Sequence, residues 1–408
     1  MNQAFDLKEL KKLCKKEEYI DYDLSPDELD TQLCDCARKI INEEFEFEIK
    51  EGGYCYRTSD LSNKLVLRKL NDNIKRIYKD EQANRRIIIS QLKVLLEETC
   101  PFWVIKADVK NFYESIDRYE LFAKFKNDSI LSYYSMYLLE TLFENPVIEA
   151  KEGLPKGINI SATLSEIYLR KFDRWIRNFE GVYYYARFVD DIVIFSNSLK
   201  NSLALIDALK SQLSLLANGL ELNESKTQFF EGLKLDRLNE KNGEIIAKES
   251  CLDYLGYSFS KREQMKKTKK EYPLKVSIAD KKIKKIKTRI TMSFVDFAKN
   301  GNFLLFENRI QFLTGNYSIK KGSEGADLKA GIFFNYQQIN DKSILSELNN
   351  YYRKVLFCKS GSLGSKIDSI LTKEQRNRLK KYCFIAGFNL KVYNSFDYSR
   401  MSEIISCW

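Results

Sequence analysis

The sequence predicts an α+β fold, and three observations predict it. Short β-prone runs stand at residues 102–107 (FWVIKA), 182–188 (VYYYARF) and 192–195 (IVIF), the last two flanking a tight turn. Apolar residues recur at helical spacing elsewhere, as in Leu164, Ile167, Tyr168, Phe172, Trp175 and Phe179. The chain has 408 residues, 44% hydrophobic and 30% charged, with few Gly (17) and Pro (5), which suits a globular protein with a real core.

Composition also excludes whole classes of chemistry. There are no histidines. That removes Ser-His-Asp and Cys-His hydrolases, zincins and Cys/His zinc fingers. Catalysis must then rest on carboxylates, lysines, tyrosines, serines or a bound metal. The nine cysteines are scattered apart from a lone Cys34-x-Cys36, so they read as reduced core thiols of a cytosolic protein. The start, MNQAFDLKELKKLC, is too polar for a signal peptide, and no apolar run approaches the ~18 residues of a membrane span.

In chain order, residues 17–30 and 43–51 are acidic and read as the solvated surface of a small helical region. The apolar run at 102–107 then delivers Asp108 to a strand end, followed by Phe112 and Tyr113. GLPKG (153–157) is a turn-rich loop that feeds a long amphipathic helix, with Ser161 expected as its N-cap. VYYYARFVDDIVIFS (182–196) reads as a hairpin with Asp190 and Asp191 at its tip. The segment 261–300 holds 14 basic and 4 acidic residues, which equals the net charge of +10. Within it Ile283, Ile286 and Ile290 mark an inward helix face, while Lys281, Lys282, Lys284, Lys285 and Lys287 face outward to bind phosphates.

Adjacent aspartates at a hairpin tip repel each other unless a cation stands beside them, although an exposed turn tolerates them too. A strand end carrying Asp108 next to that tip would gather three hard oxygen donors, which suits Mg²⁺. Two such ions about 3.5–4 Å apart can hold an attacking hydroxyl and a leaving pyrophosphate.

Five segments in order resemble the motifs of reverse transcriptases: DVKNFYESID (motif A), GLPKGINISATLSEIYL (motif B), FVDD (motif C), GLELNESKTQFF (motif D) and LDYLGYSFS (motif E, the primer grip). The resemblance implies a right-hand polymerase of fingers, palm and thumb, with a helical N-terminal extension and a helical C-terminal region. It places Asp108, Asp190 and Asp191 on two Mg²⁺ ions, with Mn²⁺ as an alternative. It makes Tyr113, beside Phe112, the aromatic gate that excludes a ribose 2′-hydroxyl, and Lys226 the group that protonates pyrophosphate. Gly157 would let the backbone approach nucleotide and template, and Tyr254 and Gly256 would touch nucleic acid. Upstream, NDNIKRIYKD and QANRRIIISQL resemble the fingers, so Lys75, Arg76, Arg85 and Arg86 are candidates to grip triphosphate or template. Two departures stand out: Lys156, a candidate to bind the nucleotide, replaces a common glutamine, and Phe188 replaces the usual tyrosine before the aspartates.

The resemblance is strongest to bacterial abortive-infection and defence-associated reverse transcriptases, relatives of the retron and group II intron enzymes. A retron Asn-Ala-x-x-His signature cannot occur without histidine, and the last 80 or so residues are too few for an RNase H domain. The expected organisation is an N-terminal extension (1–55), fingers and palm (56–260), a basic thumb (261–330) and a C-terminal helical region (331–408). Implied partners are an RNA template, such as a non-coding RNA, the DNA product and deoxynucleotides, in the bacterial cytoplasm and without a membrane. A homo-oligomer or second defence protein, template-free or protein-primed synthesis, and a non-catalytic RNA scaffold stay open.

Overall fold

The computed structural model describes residues 2–15, 18–19, 22–52, 55–58, 60–79, 83–98, 101–216, 220–232, 251–261, 264–266, 269–271, 273–319 and 328–408. Residues 320–327 of the expected basic thumb lie outside the described residues. The chain divides into two compact units, Met1–Ile88 with Cys100–Gly232, and Ile89–Thr99 with Leu233–Trp408. This division falls ahead of the boundary read at residue 260, because the strands near 252–261 pair within the second unit.

The first unit begins with helices. Helix α1 (Pro26–Ile41) starts at a capping box, Ser25 with Glu28, and Pro26 at its first position supplies the fixed φ a helix start needs. Residues 43–48 are not a solvated helical surface as expected. After a turn at Glu43, residues 44–48 alternate in burial, so Phe45 and Phe47 are buried while Glu44, Glu46 and Glu48 stay exposed. The chain continues into a hairpin of β1 (Ile49–Gly52) and β2 (Cys55–Thr58), then helix α2 (Leu61–Tyr78), capped by Asp60.

The sheet that positions the site has the order β4-β5-β3-β6, with a further strand, β7, also paired to β3. Here β3 is Trp103–Lys110, β4 is Val182–Phe188, β5 is Asp191–Ser196, β6 is Glu221–Leu222 and β7 is Gln228–Glu231. Between β3 and β4 runs helix α3 (Ile160–Arg177), and α4 (Leu199–Leu216) follows β5. Strand alternation sends Ile105, Ala107 and Val109 of β3, with Ile192 and Ile194 of β5, into one core. Leu164, Ile167 and Phe172 from α3 fill the same core. Each such side chain stabilises by about 1.5–3 kcal/mol when fully buried. The opposite face of β3 is left to carry Asp108.

Ser161 is not the N-cap. Helix α3 starts two residues earlier than that, after Asn159, and Ser161 Oγ donates instead to the Pro155 carbonyl at 2.6 Å, which ties the glycine loop to the helix.

In the second unit β8 (Leu252–Tyr254) and β9 (Tyr257–Lys261) form a hairpin, and β10 (Leu274–Ile278) pairs with β9. Leu255 and Gly256 both have positive φ (47° and 83°), the turn that suits the twist of a two-residue hairpin. Helix α5 (Asp280–Asn300) buries Ile283, Ile290, Phe294 and Phe297. Helix α6 (Phe303–Thr314) meets it through Phe306, whose ring stacks on Phe297 at 4.7 Å.

The C-terminal residues are not purely helical. Strand β11 (Asn316–Ile319) pairs antiparallel with β12 (Leu328–Gly331) and parallel with β13 (Tyr393–Asn394). Residues after 331 thus share a sheet with the basic segment. Helix α7 (Ser343–Leu356) lies between β12 and β13 in sequence, and the Trp408 indole donates to the Arg289 carbonyl of α5 at 3.2 Å. The described cysteines are free thiols; Cys36 is buried, whereas Cys34 and Cys251 are exposed rather than in the core. No helix among the described residues is long and apolar enough to cross a membrane.

Candidate active site

The site is built at one end of the five-stranded sheet. Register places Asp108 of β3 directly opposite Asp191 of β5. Directly paired antiparallel residues stand about 4.5–5.5 Å apart at Cα and project to one face. Asp190 occupies the two-residue turn between Phe188 and Asp191. Its carbonyl accepts from the Val109 amide at 3.1 Å, so the turn is bonded to the strand that carries Asp108.

That turn is strained. Val189 has φ +60°, a left-handed conformation that a β-branched side chain avoids. Asn111, just past β3, is also left-handed, at φ +46°. Asparagine tolerates this region, and its carbonyl accepts the Ser115 amide at 2.9 Å, closing the turn that presents Phe112 and Tyr113.

Lys226 arrives on a turn organised by Asn223. The Asn223 amide donates to the Asp108 carbonyl at 2.7 Å, and its own carbonyl accepts the amides of Lys226 (3.0 Å) and Thr227 (2.9 Å). Lys226 Nζ then reaches both Asp108 carboxylate oxygens, at 3.1 and 2.9 Å. This bond pushes the lysine pKa up. Burial, then the neighbouring charge of Asp108, raises the Asp190 carboxyl. Burial, then Asp190, then Asp108, lift Asp191 to about 6. Asp108, Asp190 and Lys226 line a cavity of about 380 Å³ with Lys110, Asn111, Tyr113, Lys156 and Asn223.

The donor chemistry fits a hard divalent cation. The three carboxylates are oxygen donors, and Asp190 and Asp191 are both raised by burial and by neighbouring carboxylate charge, a repulsion a cation would relieve. As they stand, no three His, Cys, Asp or Glu side chains among the described residues converge enough to hold a metal. Both Asp108 oxygens face Lys226 instead.

The other expected residues fall at various distances from this centre. Tyr113 is half-buried, and burial raises its hydroxyl pKa. Phe112 is almost wholly buried and packs edge-on against Tyr113 at 5.2 Å. Lys156 forms an ion pair with Glu114. Gly157 does make a close approach, but to this chain's own backbone: at φ +95° an added Cβ would stand 2.8 Å from the Tyr56 carbonyl oxygen. The Tyr56 amide donates to the Lys156 carbonyl at 2.7 Å, locking the loop to β2.

Lys75 and Arg76 are exposed on α2, with Arg76 paired to Asp72 at 3.0 Å, and Arg85 and Arg86 open the helix Arg85–Glu97; none of them lines the cavity. In the second unit Lys281, Lys282, Lys284 and Lys285 are exposed on α5. Lys287 is half-buried and pairs with Glu347 of α7 at 2.5 Å. Tyr254 is 1% exposed, so its ring belongs to that unit's core, and Gly256 forms the hairpin turn. Sequence reasoning did not pick out Asn111, Asn223 or Arg187. An asparagine just past a strand signals a left-handed turn only once the strand's end is known, and here β3 runs on to Lys110.

A family model described as reverse transcriptase (RNA-dependent DNA polymerase) matches residues 56–259, half of the chain. The chain belongs to that family and has a polymerase fold of mixed helices and sheets. Among solved structures it is similar to the telomerase of Candida albicans in complex with a TWJ fragment of telomeric RNA, at 11% identity over 84% of this chain and 52% of that one (TM-score 0.38). It is also similar to apo telomerase of Candida tropicalis truncated from its C-terminal domain, at 13% identity over 48% and 42% (TM-score 0.34). The chain thus spans about half the length of these telomerases. No curated protein sequence matches it.

Proposed function

We propose that this chain is an RNA-directed DNA polymerase that adds deoxynucleotides to a primer at the cavity beside Asp108, Asp190 and Asp191. One observation carries the reading. The strand register and the hairpin turn bring carboxylates from two distant segments to one open sheet end, facing a lysine and a half-buried tyrosine. The three aspartates would hold two Mg²⁺ ions. Such ions, when bound, stabilise charge on the attacking 3′-hydroxyl and the leaving pyrophosphate. Lys226, its pKa raised by the bond to Asp108, would supply the proton to that leaving group. Tyr113 lines that cavity and would be the ring that excludes a ribose 2′-hydroxyl.

The finer reading is an enzyme of bacterial anti-phage defence, acting in the cytoplasm on an associated non-coding RNA, with fingers and palm in the first unit and a basic thumb in the second. The motif pattern and the lack of histidine, which removes the retron signature, support it. The test is primer extension on an RNA template with the wild type, Asp190→Ala and Asp191→Ala, beside plaque counts of cells expressing each. Both variants should lose product and protection. Extension that survives either substitution would refute the catalytic reading. Loss of extension with protection intact would refute only the defence role of synthesis.

A further inference from the structure

We infer that Arg187 is a positioning residue for this reaction: it braces the strained turn that carries Asp190 against helix α3. The inference rests on the reading of Asp190 as a catalytic carboxylate.

Arg187 lies on β4 with its side chain 3% exposed. A guanidinium has five N–H donors in a rigid fork, and here every one is used. Nε donates to Asp173 Oδ1 (2.8 Å) and Nη2 to Asp173 Oδ2 (2.6 Å). Nη2 also donates to Glu166 Oε2 (2.7 Å) and Nη1 to Glu166 Oε1 (3.0 Å). The remaining bond runs from Nη1 to the Val189 carbonyl at 3.1 Å. Glu166 and Asp173 are two turns of α3 apart, so the fork is fixed to the helix in two places. Tyr185 adds a hydroxyl donor to Asp173 Oδ1 at 2.6 Å.

This arrangement does more than stabilise a core. One buried cation faces two carboxylates, and buried ion pairs are weak contributors to stability against well-packed apolar groups. What the cluster supplies is a fixed point for a backbone group in an unfavourable conformation. Val189 is held at φ +60°, and such strain persists only where surrounding structure over-determines it. The turn is over-determined on both sides. Arg187 holds the carbonyl of Val189, and the Val109 amide holds the carbonyl of Asp190. Release of the first would let the turn relax toward negative φ and carry the Asp190 carboxylate away from Asp108.

A lysine at this place keeps the charge that faces Asp173 and Glu166, but three donors on one nitrogen cannot reproduce the five-bond planar fork that pairs both carboxylates and also reaches the Val189 carbonyl. The experiment uses the full chain in RNA-templated primer extension, with kcat and KM for deoxynucleotide measured for the wild type, Arg187→Lys, Glu166→Gln and Asp190→Ala. Folded fraction is measured by circular dichroism at the assay temperature. A displacement near 1 Å costs on the order of 10²-fold in rate. Arg187→Lys should therefore lose about 10- to 100-fold in kcat, with KM changed less than about threefold and the folded fraction kept. Glu166→Gln, which keeps one of the two acceptor oxygens and loses the charge while Asp173 still holds the fork, should lose less in kcat and fold normally even if the lysine variant does not. Wild-type kcat in both variants, with Asp190→Ala inactive, would overturn the brace. So would a kcat loss that only follows the unfolded fraction, or one that appears entirely as raised KM. Activity in Asp190→Ala would instead overturn the catalytic reading on which the brace rests.

Discussion

Gly153 gives the sharpest test of how the glycine loop shapes the site. Its φ is +78°, and an added Cβ would stand 2.3 Å from the Tyr113 carbonyl oxygen and 2.4 Å from Glu114 Cα. Both are backbone atoms, so no flexible side chain can move aside. For Gly153→Ala the left-handed conformation costs roughly 1–2 kcal/mol, and overpacking adds about 1–3 kcal/mol. The total is about 2–5 kcal/mol, a large fraction of ordinary domain stability. Gly232 supplies the control. It has φ +52° but nothing within 4 Å of an added Cβ, so Gly232→Ala should cost only the conformational part. The assay is urea unfolding followed by the fluorescence of Trp103 and Trp175, both in the first unit, in a Trp408→Phe background. The loop also holds the Tyr113 carbonyl through the Leu154 amide at 2.7 Å, so Gly153→Ala should weaken exclusion of ribonucleotides as well. Equal destabilisation by the two alanines, within about 0.5 kcal/mol, would refute the packing argument, since the difference between them is the overlap alone.

Three further predictions follow from the same geometry. Val189→Gly should stabilise the first unit by about 1 kcal/mol through relief of the left-handed valine, yet lower kcat by loosening the Asp190 turn; a variant with unchanged kcat would show that the strain has no role. Asp191 has its folded pKa raised from 3.8 to about 6, so its contribution to stability is full below about pH 4 and is lost as pH rises through 6. In metal-free buffer the wild type should therefore lose stability relative to Asp191→Asn over that window, by about 1–2 kcal/mol after allowance for solvent screening, and thermal melts from pH 4 to 7 would show parallel curves if it does not. Replacing Lys281, Lys284 and Lys285 with glutamine should reduce the slope of log affinity for nucleic acid against log salt by up to about 0.9 per lost phosphate contact, whereas Lys287→Gln, which breaks the pair with Glu347, should leave the slope unchanged.

The placement of Asp108, Asp190 and Asp191 at one sheet end was legible because each lies at the edge of a run whose period is local. The run 102–107 announces a strand, and VYYYARF and IVIF announce a hairpin with the aspartates between them. Register then follows from keeping Ile105, Ala107, Ile192 and Ile194 on the core face, since a slip by one residue would expose all of them. The N-cap expected at Ser161 failed for a non-local reason: its hydroxyl is claimed by the Pro155 carbonyl of the preceding loop. The C-terminal sheet failed similarly. Strand β13 is two residues long and pairs with a partner more than seventy residues earlier, and no local pattern marks that.

Gly157 and Arg187 show where sequence reasoning stops and why. A glycine in a turn-rich loop states only that something comes close or that φ is positive. Here both hold, and the close neighbour is the β2 backbone at Tyr56. The two glycines therefore grip two different segments: Gly153 the turn after β3, and Gly157 the β1–β2 hairpin. In sequence, Arg187 is one basic residue among aromatics on a strand whose neighbours alternate between faces. Its role becomes visible only when Glu166 and Asp173, on one face of α3, are seen to receive the fork whose last donor reaches Val189. The residues that would perform chemistry are thus carried by short local patterns. Those that hold them in place act through tertiary contacts, so substitutions at Arg187 or Gly153 should alter the rate while leaving the three aspartates and Lys226 intact.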